Sequence, residues 1–203
     1  GKQEIVKVNN YRSVTNEHVV AQSTAKYCKH KMNSYMAGAL ARFNNNFDQL
    51  HPEAKKVAGL LGMKPILFNT YLNTAAQAVE IVHSVHEGIK LLDELIRDGV
   101  REEKLVAPTK HGVEGAGAVE VPRGILFHSY TYDKDGICQK GNCIIPTNQN
   151  HANIQLDFEA LVPQMMQEGL SEKEMELRLE MMVRAYDPCI SCSTHYLDIN
   201  FVK

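Results

Sequence analysis

The chain has 203 residues, 44% of them hydrophobic and 23% charged, with no tryptophan and a formal net charge of −2 at pH 7. This is the composition of an ordinary globular protein long enough for one sizeable core, so residues 1–203 are expected to form a single domain. It excludes a broad basic footprint for phosphate backbones, and no run of about eighteen apolar residues is present to span a membrane.

Residues 15–40 carry helix formers with apolar side chains at Val19, Val20, Ala25, Met32, Met36 and Leu40, and a helix is expected there. The stretch "RFNNNFDQLHP" breaks it with three consecutive asparagines. Pro52 suits the first turn of the next helix, which should run through "EAKKVAGLLG" to Gly62 before "MKPILFN" interrupts it. From 72 to 96 the apolar residues Leu72, Ala76, Val79, Val82, Ile89, Leu92 and Ile96, with His86 in the same series, recur at three and four residues. That spacing predicts a long core helix ending near Gly99, with Ala75, Ala76, Ala78 and Gly88 allowing neighbouring helices to approach closely.

The texture then changes. "HGVEGAGAVEVPRG" reads as a glycine-rich loop, while "ILFHSYTY", "DKDG" and "ICQKGNCII" read as strand, turn and strand of a β-hairpin, placing loop and hairpin over 112–147. Ser171 followed three residues later by Glu174 is a capping-box signature, and its helix should reach about Arg184. A helix and ligand-bearing loop are thus expected over 157–195, with a tail at 196–203. The architecture this adds up to is mainly α (α+β): a helical bundle over 15–100 with a small β-hairpin region.

Five cysteines are unevenly placed: Cys28 alone, Cys138 and Cys143 in one region, Cys189 and Cys192 near the end. An odd, unpaired set fits reduced thiols or metal ligation better than a disulfide framework, and the polar opening "GKQEIVKVNN" is no signal peptide, so a cytoplasmic protein is expected, with no nucleic-acid partner and no membrane span. In "DPCISCSTH" (187–195) the C-x-x-C spacing lets two thiolates converge on one metal, and Pro188 ends the preceding helix. Zinc completed by His195 with Cys138 or Cys143, a redox pair, and two inert cysteines are the other readings. A redox pair would open a helix after a strand, whereas this pair follows a helix.

Asp187-Pro188-Cys189-x-x-Cys192-x-x-His195 resembles the C-terminal signature of the large subunit of nickel-iron hydrogenases. "VEVPRG" (119–124) is similar to that family's E-x-P-R-G loop and "IIPTNQN" (144–150) to its proline-threonine loop, in the expected order. "YRSVTNEHVV" and "ALARFNNNFDQLHP" further resemble its cytosolic, multisubunit, bidirectional branch, including sulfhydrogenases and types coupled to NAD(P) or to heterodisulfide reductase. The resemblance covers essentially the whole chain and implies the C-terminal half of the large-subunit fold.

It also implies reversible heterolytic cleavage of dihydrogen at a nickel-iron centre held by four thiolates. Cys189 would be a terminal nickel ligand able to receive a proton, and Cys192 would bridge nickel and iron. Arg123 would lie over the open metal face, oriented by Pro122 and paired with Asp187. Iron carries cyanide and carbon monoxide in this family; Thr147 matches the side chain that hydrogen-bonds a cyanide, and Pro146 would pack beside the carbonyl. His195 would lie near a structural magnesium. Electrons would leave through iron-sulfur clusters in a partner small subunit and through electron-transfer subunits.

Two departures matter. The family's second C-x-x-C, with its neighbouring acidic proton gate, is missing, so the expected partner is a polypeptide carrying that N-terminal pair: the chain is either a fragment or one part of a split subunit. Relatives are often cut after the histidine by a maturation protease, yet "YLDINFVK" follows His195, as in a precursor or a lineage that retains its tail; its apolar residues favour retention. The competing expectation is a non-catalytic scaffold or unprocessed form without the metal centre. Lesser candidates are half a di-iron motif at Glu80 and His83, a core or pocket-lining thiol at Cys143, and a phosphate loop in "GVEGAG".

Overall fold

The computed structural model describes residues 4–106 and 110–193. Its architecture is mainly α with a small sheet, as the sequence predicts. The helices are α1 (Ala39–Asn46), α2 (Pro52–Leu60), α3 (Leu72–Asp98), α4 (Pro146–Gln167), α5 (Glu172–Ala185) and α6 (Ile190–Ser193). The strands are β1 (Asn16–His18), β2 (Tyr27–Lys29), β3 (Glu114–Val121), β4 (Gly124–Tyr132) and β5 (Cys138–Ile144). Among the described residues no helix is long and apolar enough to cross a membrane.

One core forms where α1, α2 and the start of α3 meet. Leu40, Phe43, Met63 and Val79 are buried there, and the small Ala54, Ala58 and Ala76 let the helix backbones come close. Each large side chain so buried contributes about 1.5–3 kcal/mol. Pro52 opens α2 at a position that needs no amide, and the His51 ring accepts from the Glu53 amide. In α3 the predicted periodicity holds and Gly99 ends the helix at φ 76°, but only its first third is buried. Ile81, Val85, Ile89, Leu92 and Ile96 remain exposed.

Residues 15–40 do not form the expected helix. β1 and β2 pair antiparallel from Asn16↔Lys29 to His18↔Tyr27, and Lys31 and Met32 take positive φ values that no helix admits. Only Cys28 of β2 is buried, packed with Tyr11, Phe127 and Ile144, whereas Val19 and Met32 lie at the surface. Tertiary packing around one inward side chain overrides weak helix propensity here.

The expected glycine-rich loop at 112–124 is largely strand β3, so the hairpin becomes a three-stranded antiparallel sheet in the order β3-β4-β5. β3 pairs with β4 from Glu114↔Thr131 to Val121↔Gly124, leaving Pro122 and Arg123 as a two-residue turn. Small residues along β3 mask the strand in the sequence, but the backbone ladder needs no side chains. The "DKDG" turn forms as read, with the Asp133 carboxylate accepting from the amides of Asp135 and Ile137.

Helix α4 also starts earlier than the expected 157. Pro146 occupies its first turn, and Thr147, Asn148, Gln149, Asn150 and His151 are buried. Such a polar opening has no apolar period; tertiary hydrogen bonds hold it instead. Asn150 donates to the Ala37 carbonyl (3.2 Å) and accepts from its amide (2.7 Å), while Gln149 donates to the Ile125 carbonyl. Helix α5 carries the predicted capping box, Ser171 and Glu174 each accepting from the other's amide.

The loop before α1, the β3–β4 turn and the start of α4 meet at Gly124. A Cβ there would stand 2.7 Å from that of Ala37 and 3.3 Å from that of Pro146, at φ +141°. Gly124→Ala should therefore lower stability by about 2 kcal/mol or more, as overpacking and backbone strain add; urea denaturation of wild type and variant measures the difference.

Candidate metal centre

The C-x-x-C loop is positioned by what precedes it. Tyr186, buried after α5, donates its hydroxyl to Asp157 Oδ2 (2.6 Å) and accepts from Asn153 Nδ2 (2.6 Å). Burial, and then the bond to Asp157, push its phenol well above the usual range, so it stays neutral. Asp187 follows in the left-handed region at φ 52°, a conformation aspartate tolerates better than most residues, and turns the chain. Pro188 then delivers Cys189, whose amide donates to Thr147 Oγ1 (3.2 Å) at the start of α4. A single turn of helix closes over the pair, with the Cys192 amide donating to the Cys189 carbonyl (3.1 Å). The two Cα atoms are 5.3 Å apart and the sulfurs are joined to each other.

Arg123 reaches this loop from the β3–β4 turn. Its Nε donates to the Asp187 carbonyl (2.5 Å) and its Nη2 to Asp187 Oδ1 (3.2 Å), while Gln77 of α3 donates to Asp187 Oδ2 (3.2 Å). Both charged side chains are 37% exposed, so the ion pair stabilises the fold by no more than about 1 kcal/mol. Its importance is geometric: it fixes a guanidinium beside the cysteine loop. Nη1 of Arg123 makes no hydrogen bond to any described residue. Pro122 and Pro146 flank this meeting point, Pro122 immediately before Arg123 and Pro146 immediately before Thr147.

The structure thus brings together Arg123, Asp187, Thr147 and the cysteine pair from three separate segments. His195 and the tail at 196–203 lie outside the described residues. Joined, the two sulfurs are not the thiolates expected from the sequence; reduced, they would form a soft donor set suited to nickel, iron or zinc. No group of three or more His, Cys, Asp and Glu converges among the described residues, so Cys138 and Cys143 do not join the pair there.

The remaining candidates resolve otherwise. Glu80 is held by Arg42 through two bonds (2.6 and 2.7 Å), and His83 Nδ1 accepts from the His51 amide (3.2 Å), so the half di-iron motif is a structural pair. Cys143 is exposed on β5 with His128 and Tyr130 and is no core thiol, because its register places it on the outer side of the sheet. "GVEGAG" is strand, not a phosphate loop. Gln77 and Arg42 were not among the residues the sequence singled out; for Gln77 the one signal is that it shares a face of α3 with Glu80, three residues on, and for Arg42 there is none.

The nickel-dependent hydrogenase family matches residues 5–195, and the chain belongs to that family. It is similar to the sulfhydrogenase 1 subunit alpha of Pyrococcus furiosus, with 35% identity over 91% of this chain and 42% of that subunit. The NAD-reducing hydrogenase HoxS subunit beta of Cupriavidus necator is 33% identical over 60% of this chain and 25% of its own length. Among solved structures, an NAD+-reducing [NiFe]-hydrogenase in the H2-reduced state superposes with a TM-score of 0.75 at 27% identity, over 92% of this chain and 43% of that one. The [NiFeSe]-hydrogenase of Dm. baculatum shares the fold at 21% identity and a TM-score of 0.58, over 84% of this chain and 37% of that one. The chain spans about two fifths of the length of the sulfhydrogenase subunit and of the NAD+-reducing hydrogenase chain that it matches.

Thiol chemistry outside the candidate centre is set by burial. Burial first, then the nearby Glu17 charge, push the Cys28 thiol up to about 12. Its proton is held more tightly folded than unfolded, so this contribution to stability is complete below about pH 9 and is lost as pH rises toward 12. At pH 8 iodoacetamide should label exposed Cys138 and Cys143 in the folded chain and spare Cys28; peptide mapping reads the outcome, and early labelling of Cys28 would contradict its burial.

Proposed function

We propose that this chain is the C-terminal half of a hydrogenase large subunit, contributing to reversible heterolytic cleavage of dihydrogen into two protons and two electrons. Cys189 and Cys192 would supply two of the four thiolates of a nickel-iron centre. The other two would come from a polypeptide or segment carrying the N-terminal C-x-x-C. The observation that carries this reading is the meeting of Arg123 and Asp187, from segments 64 residues apart, beside the cysteine pair.

When bound, the bimetallic centre would supply Lewis acidity and a store for the electron pair. The chain's own residues would do the rest. Cys189 Sγ, as a thiolate, would take up the proton released from dihydrogen. Arg123 would set a fixed positive charge over the reacting face, its Nη1 directed to no described partner, with Asp187 holding the guanidinium in orientation. Thr147 is 2% exposed and uses its oxygen to accept from the Cys189 amide. Its hydroxyl hydrogen is left for an anionic ligand of iron, consistent with the cyanide-binding role the resemblance assigns. Pro122 and Pro146 would line the same side, and His195 would serve a magnesium ion. Electrons would pass to iron-sulfur clusters of a small subunit in a cytoplasmic complex with further electron-transfer subunits, and a maturation protease would be needed only if the tail is removed.

Anaerobic purification of the complete complex tests this. Nickel and iron should appear in equal amounts, with infrared bands of cyanide and carbon monoxide. Cys189→Ser should abolish nickel incorporation and lower dihydrogen oxidation by more than about 100-fold. Zinc alone, or no metal with the cysteines joined in a functional complex, would refute the reading in favour of a zinc module or a scaffold.

A further inference from the structure

Arg42 lies on α1, away from the cysteine loop, and every hydrogen-bond donor of its guanidinium is engaged. Nε and Nη2 grip the two oxygens of Glu80 on α3 (2.6 and 2.7 Å). Nη1 donates to Glu120 Oε1 (2.5 Å) and to the Val121 carbonyl (2.9 Å), and Nη2 donates again to the Pro122 carbonyl (2.7 Å). An arginine has five N–H donors, so none remains for a ligand. Its side chain is only 18% exposed, and that of Glu80 22%. Such a residue acts through what it holds.

What it holds is the backbone immediately before Arg123. The Val121 and Pro122 carbonyls are the two peptide groups leading into the turn, and Arg42 binds both from one planar group. On the other side of the turn, Gly38, the residue before α1, packs closely: a Cβ there would lie 3.3 Å from the Arg123 carbonyl. Helix α3 closes the circuit. Glu80 orients Arg42, and Gln77 one turn earlier orients Asp187, the partner of the Arg123 guanidinium. One helix face therefore sets both the backbone of Arg123 and the carboxylate that receives its side chain.

We propose that Arg42, oriented by Glu80, is a positioning residue for Arg123, fixing the turn so that the guanidinium reaches Asp187 and the cysteine loop. The proposal rests on the hydrogenase reading for its effect on turnover, but its structural content does not. The role needs the arginine fork: a lysine offers three donors from one point and cannot span two carbonyls and two carboxylates.

The test uses the complete complex with Arg42→Met, Arg42→Lys and Glu80→Gln. Nickel and iron content should stay at the wild-type level in all three, while kcat for dihydrogen oxidation falls by about 10- to 100-fold, the scale expected when a catalytic group moves by an ångström. The cyanide and carbonyl infrared bands should shift in each, and Arg42→Lys should not rescue. In an Arg123→Met background, adding Arg42→Met should cost little more, because both act through one group. Full rescue by lysine, additive losses in the double variant, or losses that only track metal content would overturn the proposal. If the wild-type complex proves to have no hydrogenase activity, the hydrogenase reading fails instead. Crystal structures of wild type and Arg42→Met then decide the positioning claim, which falls if the bonds from Arg123 to Asp187 are unchanged.

Discussion

A single buried amide organises the neighbourhood of the candidate centre. Asn73, in the first turn of α3, accepts from the Leu40 amide (2.8 Å) and donates to the Ala185 carbonyl (2.7 Å). The first contact satisfies an orphan donor at the start of α1, and the second an orphan carbonyl at the end of α5. Asn73 is 2% exposed, so losing either bond would leave a desolvated polar group, at about 1–3 kcal/mol. Because it ties the start of α1 to the end of α5, it fixes where Arg42 begins its reach and where the chain leaves α5 toward Asp187.

The same economy recurs around it. Asn150 clamps Ala37, Gln149 holds Ile125 and Thr147 receives Cys189, all from the opening turns of α4. Two irregular segments and the start of β4 are thereby given definite positions by side chains that are themselves on a helix. Precision in placing a side chain depends on this kind of support, because a flexible loop alone would not hold a guanidinium in one orientation.

Much of this was legible in the residues. The motifs "VEVPRG", "IIPTNQN" and "DPCISCSTH" stand out in the sequence, although the first two read as loops rather than as a strand with its turn and the opening of α4, and α2, α3 and α5 announce themselves through Pro52, the apolar period and the capping box. What escaped were segments ordered from outside themselves. β2 is a strand because Cys28 meets Tyr11 and Phe127, and β3 because β4 offers it a ladder. The polar start of α4 carries no amphipathic signal since its partners are distant carbonyls. Arg42 was invisible for a similar reason: a lone arginine on a helix reads as solvated until the fold brings two carboxylates and two carbonyls to it.

The turn between β3 and β4 has only two residues, Pro122 and Arg123, with Gly124 already back in the ladder. In so short a reversal nothing is spare. An extra residue there must either slip the pairing of β3 with β4 or lengthen the loop, and in both cases it displaces Arg123 relative to Asp187. Length, as much as chemistry, is therefore under constraint at this point.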